Sequence, residues 1–109
     1  MGAPEDDVTI VSVLHLVPRD GAAEELARRF GALEIFDHSR RSGGFLGGRL
    51  LRPRDDSAFV VLAEWETSAD YRRWLDSPLR AELGAKLEPL LDADVGSARL
   101  YEEVRWPTA

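Results

Sequence analysis

The residues best able to do chemistry lie in one stretch, where a predicted strand passes into a predicted helix. This stretch contains Trp65, Tyr71 and Trp74, which are two of the three tryptophans and one of the two tyrosines of the chain. Large aromatic side chains at such a junction can form the wall of an apolar pocket, and their N–H and O–H groups can orient a planar polar ligand. The same side chains could also be ordinary core packing, and the residues alone leave both interpretations open.

Few other groups could move a proton near neutral pH. His38 lies near the end of a predicted helix, where it could be a general base at a pocket mouth or simply a cation favoured at a helix C-terminus. His15 lies on the first predicted strand, on the face expected to point away from the helices. Ser12 on that strand has the opposite parity and should face the helices, where its hydroxyl needs either a core partner or a bound ligand.

Composition narrows the classes of function. A chain of 109 residues predicts one domain, 1–109, with a core at about 8–104 and short irregular termini. The absence of cysteine excludes thiol nucleophiles and cysteine-type zinc sites, and we expect no metal site. A net charge of −6 argues against nucleic-acid binding. No apolar run approaches the roughly 18 residues of a membrane span, so we expect a cytoplasmic protein that makes no membrane contact.

The hydrophobic pattern predicts the elements that position these residues. A helix is expected to open with Asp20 as its N-cap and to stop at Gly43. A second helical region begins at a capping box from Thr67 to Asp70 and restarts at Ser77. Strands are predicted at 8–17, 45–52, 58–65 and 97–104. The order β-α-β-β-α-β is the ferredoxin-like arrangement of the α+β class, an antiparallel sheet with helices on one face.

The face of this sheet away from the helices is too apolar to be left to water. By alternation it carries Val11, Val13, Val60 and Leu62. The simplest cover is a second copy of the chain, so we expect a homodimer whose two sheets pack face to face.

Three segments together resemble the antibiotic biosynthesis monooxygenase family. They are Trp65-Glu-Thr-Ser-Ala-Asp-Tyr71, Trp74-Leu-Asp-Ser-Pro78 and Gly44-Phe45-Leu-Gly, and the resemblance spans about residues 8–104. It implies a dimeric α+β barrel with a ligand pocket between the sheet and the helices of each subunit.

One branch of that family implies a cofactor-independent monooxygenase that oxidises an aromatic, phenolic polyketide intermediate with O2. The tryptophan and the tyrosine of this branch match Trp65 and Tyr71, while its two asparagines are replaced here by Ser12 and Val61. We therefore expect Tyr71, His38 and Trp65 to be catalytic. The expected substrate-binding residues are Ser12, Phe45, Val61 and Trp74.

Other activities within the same resemblance stay open. Loss of the asparagines is compatible with a cyclase or isomerase of a polyketide intermediate, and a dimer that only binds a small molecule is a third possibility. A haem-degrading branch is similar at Trp74, but its axial histidine falls at Gly84 here, and glycine cannot ligate iron. The resemblance therefore disfavours haem, and we expect no cofactor.

Overall fold

The computed structural model describes residues 8–55, 57–93 and 98–104. The predicted irregular termini and Ser97, the predicted start of the last strand, lie outside these ranges. Within the described residues no helix is long and apolar enough to cross a membrane. The elements in chain order are β1 Ile10–Leu16, α1 Ala23–Ala32, α2 Ile35–Ser42, β2 Phe45–Leu51, β3 Phe59–Trp65, α3 Ser68–Leu75, α4 Pro78–Leu87, a 3-10 turn at Glu88–Leu90, and β4 Arg99–Glu102.

The four strands form one antiparallel sheet in the order β2-β3-β1-β4. This order confirms the predicted ferredoxin-like topology. The two central strands pair with Ser12 opposite Ala63 and Leu14 opposite Val61. Because side chains alternate along a strand, these four residues share one face, and this face packs against the helices.

The other face of the sheet has less cover. Val11, Val13, Val60 and Leu62 alternate with the helix-facing residues and are only half-buried. The neighbouring Leu51 is exposed on the same face. The described chain therefore leaves an apolar sheet surface without a covering layer, as the sequence predicted.

The first helical region differs from its prediction. It forms two helices, which are separated at Glu34, where the backbone has a left-handed φ of 53°. Asp20 is not the N-cap, because α1 begins after Ala22. The break lets Ile35 and Phe36 pack against the buried core. Hydrophobic periodicity did not reveal the break at Glu34, since a single residue with left-handed backbone angles leaves the pattern of apolar positions almost unchanged.

The second helical region follows its prediction. The Thr67 hydroxyl accepts a hydrogen bond from the Asp70 backbone N–H at 3.0 Å and donates to the Asp70 carboxylate at 2.8 Å. At the start of α4, Ser77 Oγ accepts from the backbone N–H of Leu79 at 3.2 Å, and Pro78 occupies the first helical position. These two caps satisfy backbone donors that would otherwise be unpaired, and they set where α3 and α4 begin.

A close backbone approach ties β2 to α3. Gly44 has a φ of 75°, and a Cβ at this position would overlap the carboxyl group of Asp70. The carbonyl of Gly44 accepts from the Glu66 backbone N–H at 2.8 Å, and Arg73 donates a hydrogen bond to Oδ1 of Asp70 at 3.0 Å. Glycine is therefore required here by both backbone conformation and space.

We expect Gly44→Ala to lower the free energy of unfolding by about 1–3 kcal/mol, because the new methyl group strains the backbone and displaces Asp70. Gly31→Ala is the control, since nothing lies within 4 Å of a Cβ in α1 at that position. It should stabilise the protein by about 0.5–1 kcal/mol through helix propensity. Urea unfolding of both variants measures the contrast. Equal effects would show that the contact between Gly44 and Asp70 does not constrain the fold.

Candidate functional site

A cavity lies between the helix-facing side of the sheet and the helices. Its volume is about 70 Å³, and the empty space is about 630 Å³ when its open mouth is included. Strands β1 and β3 form its floor, and all four helices contribute to its walls. The lining residues are mostly apolar: Leu14, Leu16, Phe30, Ile35, Phe36, Val61, Ala63, Trp65, Trp74, Leu83, Leu87 and Ala98. Concave apolar walls with a few polar atoms are typical of small-molecule sites.

A buried hydrogen bond fixes the indole of Trp65 in this cavity. Trp65 Nε1 donates to Ser12 Oγ at 3.1 Å, and the two residues are 2% and 5% exposed. The bond joins the two central strands and satisfies the only donor of the indole. Ser12 therefore faces the helices as predicted, and its partner is a protein side chain. Since a serine hydroxyl both donates and accepts, Ser12 keeps a proton that it can donate elsewhere.

Tyr71 contributes the least satisfied polar group of the cavity. The residue is 6% exposed, and its ring packs edge-to-face on Trp65 with centroids 5.7 Å apart. Among the described residues, its hydroxyl is the only buried side-chain N or O atom that has no hydrogen-bond partner. An unpaired buried hydroxyl costs stability, so it points to a ligand that would accept or donate the missing bond.

A continuous series of ring contacts supports the wall behind Tyr71. Phe30 contacts Phe36 at 5.3 Å, Phe36 stacks on Phe45 at 5.7 Å, and Phe45 meets Trp65 edge-on at 5.3 Å. Phe45 is buried but does not line the cavity. The structure therefore gives Phe45 a supporting position between two lining rings, where the sequence had predicted contact with substrate.

The structure brings five predicted site residues together and leaves two outside. Those that line the cavity are Ser12, Val61, Trp65, Tyr71 and Trp74. His38, like Phe45, does not line it. The His38 side chain lies on α2 with Nδ1 at 3.4 Å from a guanidinium nitrogen of Arg41. His38, the expected general base, therefore does not lie at this cavity within the single chain.

Two polar lining residues were missed by sequence reasoning. Ser39 is buried on α2 and donates its hydroxyl proton to the carbonyl of Ile35 at 2.9 Å. Its position depends on the break at Glu34, so no sequence signal marked it. Arg80 lies on α4 and is half-buried at the cavity wall. The sequence could have indicated this position, because Arg80 lies three residues before Leu83 and seven before Leu87, and residues at these spacings share a helix face.

The carboxyl groups with clear pKa shifts lie away from this cavity. A hydrogen bond from Arg28 lowers the pKa of Glu25 on the outer side of α1. Hydrogen bonds from Ser57 lower the pKa of Asp55 in the turn between β2 and β3. Neither carboxylate lines the cavity, so their charges do not define its chemistry.

The lining residues do not fit a haem group. None of the described lining residues is a histidine, cysteine or methionine, and Gly84, the position at which the resemblance implied an axial ligand, lines the cavity without a side chain. The described chain also contains no group of three or more His, Cys, Asp or Glu side chains placed to hold a metal ion. Among the described lining residues, only Tyr71 therefore has a side-chain atom of a type that ligates haem iron.

A family model for antibiotic biosynthesis monooxygenases matches residues 9–85. The chain belongs to this family. No protein with a curated description matches the sequence. Family membership agrees with the fold.

Solved structures show the same fold over nearly the whole chain. The structure is similar to that of SnoaB, a cofactor-independent oxygenase from Streptomyces nogalater, with 24% identity, a TM-score of 0.68, and coverage of 93% of this chain and 96% of that chain. A mutant of SnoaB is 25% identical, with a TM-score of 0.67 and coverage of 92% and 95%. A putative antibiotic biosynthesis monooxygenase from Nitrosomonas europaea has a TM-score of 0.74 at 13% identity, with 100% of both chains covered.

The hydroxyls of Ser12 and Tyr71 should affect stability differently. Ser12→Ala leaves the buried indole N–H of Trp65 without an acceptor and should cost about 1–3 kcal/mol. Tyr71→Phe removes a hydroxyl that has no partner in the described part of the chain. It should change the free energy of unfolding by less than about 1 kcal/mol, in either direction. Urea unfolding without ligand measures both. If Tyr71→Phe were as destabilising as Ser12→Ala, the phenol would have a partner within the protein.

Proposed function

We propose that this protein is a cofactor-independent, monooxygenase-like enzyme that oxidises an aromatic, phenolic small molecule of the polyketide type. The observation that carries the proposal is the Tyr71 hydroxyl, which is buried in an apolar cavity and has no hydrogen-bond partner among the described residues. Membership of the antibiotic biosynthesis monooxygenase family and the similarity to SnoaB support it.

The cavity suits a flat ring with one polar edge. The ring would lie among apolar side chains such as Val61 and Trp74, and the Tyr71 hydroxyl would donate to an oxygen of the substrate. That bond is stronger when the oxygen is an anion, so it favours the ionised phenol or enol over the neutral form. Exclusion of water by the apolar walls strengthens the same interaction.

The reaction then uses electrons from the substrate itself. The substrate anion gives an electron to O2, and a ring CH2 group becomes a carbonyl. One atom of O2 enters the product, and the other leaves as water together with the two hydrogens of the CH2 group. The protein binds the ring and stabilises its anion. It also keeps water away from the pair of radicals that forms when the anion gives an electron to O2.

Deprotonation follows from the acidity of the substrate once its anion is stabilised. In the single chain His38 does not line the cavity. The Tyr71 donor lowers the pKa of a bound phenol because it favours the charged form. We therefore propose that the bound substrate loses its proton to solvent through the open mouth of the cavity, without a histidine base.

The proposed enzyme is a homodimer. The outer face of the sheet carries half-buried Val11, Val13 and Leu62, which a second copy would cover. Packing of the two sheets face to face removes this surface from water and leaves each cavity on the opposite side of its own sheet.

Oxygen uptake with an anthrone-type substrate tests the proposed reaction. We expect Tyr71→Phe to reduce turnover by about 10- to 100-fold, because one hydrogen bond to a developing anion is lost. Tyr101→Phe is the matched control, since Tyr101 lies on β4 opposite Val11, on the sheet face away from the cavity, and it should retain wild-type uptake.

Three results would contradict this assignment. Undiminished uptake by Tyr71→Phe would remove Tyr71 from the reaction. Product formed at full rate under nitrogen would make the protein a cyclase or isomerase. Saturable binding of the substrate without product under either gas would make it a binding protein.

Light scattering tests the homodimer. We expect a mass about twice the 12.1 kDa of one chain at micromolar concentration. Leu62→Glu places a charge in the outer sheet face and should give the single-chain mass, because an unpaired buried charge is costly. Ala81→Glu, on the exposed side of α4, is the control and should remain a dimer. A wild-type mass near that of one chain would rule out the homodimer.

A further inference from the structure

An open groove between α1, α2 and β2 lies on the other side of one cavity wall. Three side chains, Phe30, Ile35 and Phe36, line both the cavity and this outer groove. Phe30 is buried, whereas Ile35 and Phe36 are only half-buried. The same side chains thus face the cavity on one side and the groove on the other, so the wall between the two spaces is thin.

Phe36 occupies the space directly above Gly48 on β2. A Cβ at Gly48 would lie 2.6–2.9 Å from three carbons of the Phe36 ring, so the ring rests against the strand backbone. The ring also stacks on Phe45 with centroids 5.7 Å apart and meets Phe30 edge-on at 5.3 Å. The missing side chain at Gly48 therefore provides a flat slot in which an aromatic ring lies.

Gly48 belongs to a row of small residues that crosses the sheet. The register pairs Gly48 with Ala63 and Ala63 with Ser12, so all three lie on the helix side of adjacent strands. Since neighbouring strands are about 4.8 Å apart, the row is roughly 10 Å long. Ala63 and Ser12 line the cavity, whereas Gly48 lies under the Phe36 ring and does not line it. Movement of this one ring would extend the cavity floor along the whole row.

The cavity as it stands leaves little room for an aromatic ligand. Its volume is about 70 Å³. An apolar protein cavity that binds benzene has a volume of about 150 Å³. Further room comes either from the open mouth or from displacement of a wall side chain, and the groove beyond Phe36 offers about 280 Å³ that can receive its ring.

We propose that Phe36 is a movable wall that determines the length of the aromatic ligand. A fused-ring phenol places its oxygen at Tyr71 and its far ring on Gly48. There the far ring takes over the stacking on Phe45, and Phe36 turns into the outer groove. A single-ring phenol binds without displacing Phe36. This proposal rests on the proposed function, since it names which phenols the same cavity takes.

Phenol and 2-hydroxyanthracene, which each carry one hydroxyl and differ in length, are the probes that test this role. Equilibrium dialysis of the full chain under nitrogen gives the affinity of each, and the ratio of variant to wild type is compared for each probe separately. This ratio cancels the greater hydrophobicity of the longer probe. In the wild type the long probe binds only when Phe36 has turned out, so its apparent affinity is lowered by the fraction of molecules in that state.

Phe36→Ala should therefore raise the affinity for 2-hydroxyanthracene by about tenfold or more and leave that for phenol within about twofold. Phe36→Leu keeps an apolar side chain in the wall and protects the fold if the alanine variant is unstable. It should shift the long probe in the same direction by about threefold. Leu46→Ala is the control, since it removes an exposed apolar side chain of β2 that lines neither space, and it should bind both probes as the wild type does.

A second substitution tests whether the gain comes from the slot above Gly48. Gly48→Val added to Phe36→Ala places a new side chain in the space that the ring has left. We expect it to abolish the gain for 2-hydroxyanthracene and to leave phenol binding unchanged. A variant that had merely loosened the protein would keep its gain.

Four results would overturn the proposal. They are an equal gain for both probes in Phe36→Ala, no gain for the long probe in either Phe36 variant, a gain that survives Gly48→Val, and no saturable binding of 2-hydroxyanthracene. Dialysis under nitrogen needs no turnover, so its outcome is separate from the oxygen-uptake assay. A protein that shows the length dependence but consumes no oxygen would keep the assignment of Phe36 and lose the oxygenase.

Discussion

The antiparallel register between β1 and β3 is the constraint on which the rest of this structure depends. It sets Ser12 opposite Ala63 and Leu14 opposite Val61, with all four on the helix side of the sheet. A slip of one residue would turn each of these side chains to the other face. The bond from Trp65 to Ser12 belongs to the same register, because it crosses between the two strands at 3.1 Å. Cavity floor, indole position and outer apolar face all follow from that single pairing.

Among the described residues, the buried polar side chains beside these two strands do not all have hydrogen-bond partners. The indole of Trp65 and the hydroxyl of Ser39 both have protein partners, and the hydroxyl of Tyr71 has none among the described residues. A fold optimised for stability alone would place phenylalanine at residue 71. The unpaired hydroxyl is therefore the feature that supports the proposal of an oxygen-bearing ligand in this cavity. The series of ring contacts from Phe30 to Trp65 holds the wall in place behind it.

Much of the fold was readable from the sequence, since it rests on local signals. Strand alternation, the Thr67 cap and the Ser77-Pro78 restart each act within a few residues, and all were predicted correctly. The break at Glu34 was not, because a left-handed glutamate has no sequence signature. That one residue made the difference between one long helix and two, and it decided that Ser39 faces the cavity.

The sequence by itself determined the topology, the helix-side orientation of Ser12 and Val61, and the apolar outer face of the sheet. These follow from periodicity and from a family resemblance carried by local motifs. For Trp65, Tyr71 and Trp74 the sequence left core packing and pocket lining both open. Only the tertiary structure decided which of these side chains are paired. It paired Ser12 with the indole of Trp65 and left the Tyr71 hydroxyl without a partner among the described residues. It also placed Phe45 behind the cavity wall and His38 away from it, and brought Arg80 to the cavity. The physical reason is that hydrogen-bond partners and cavity walls join residues far apart in the chain, whose distances no local pattern encodes.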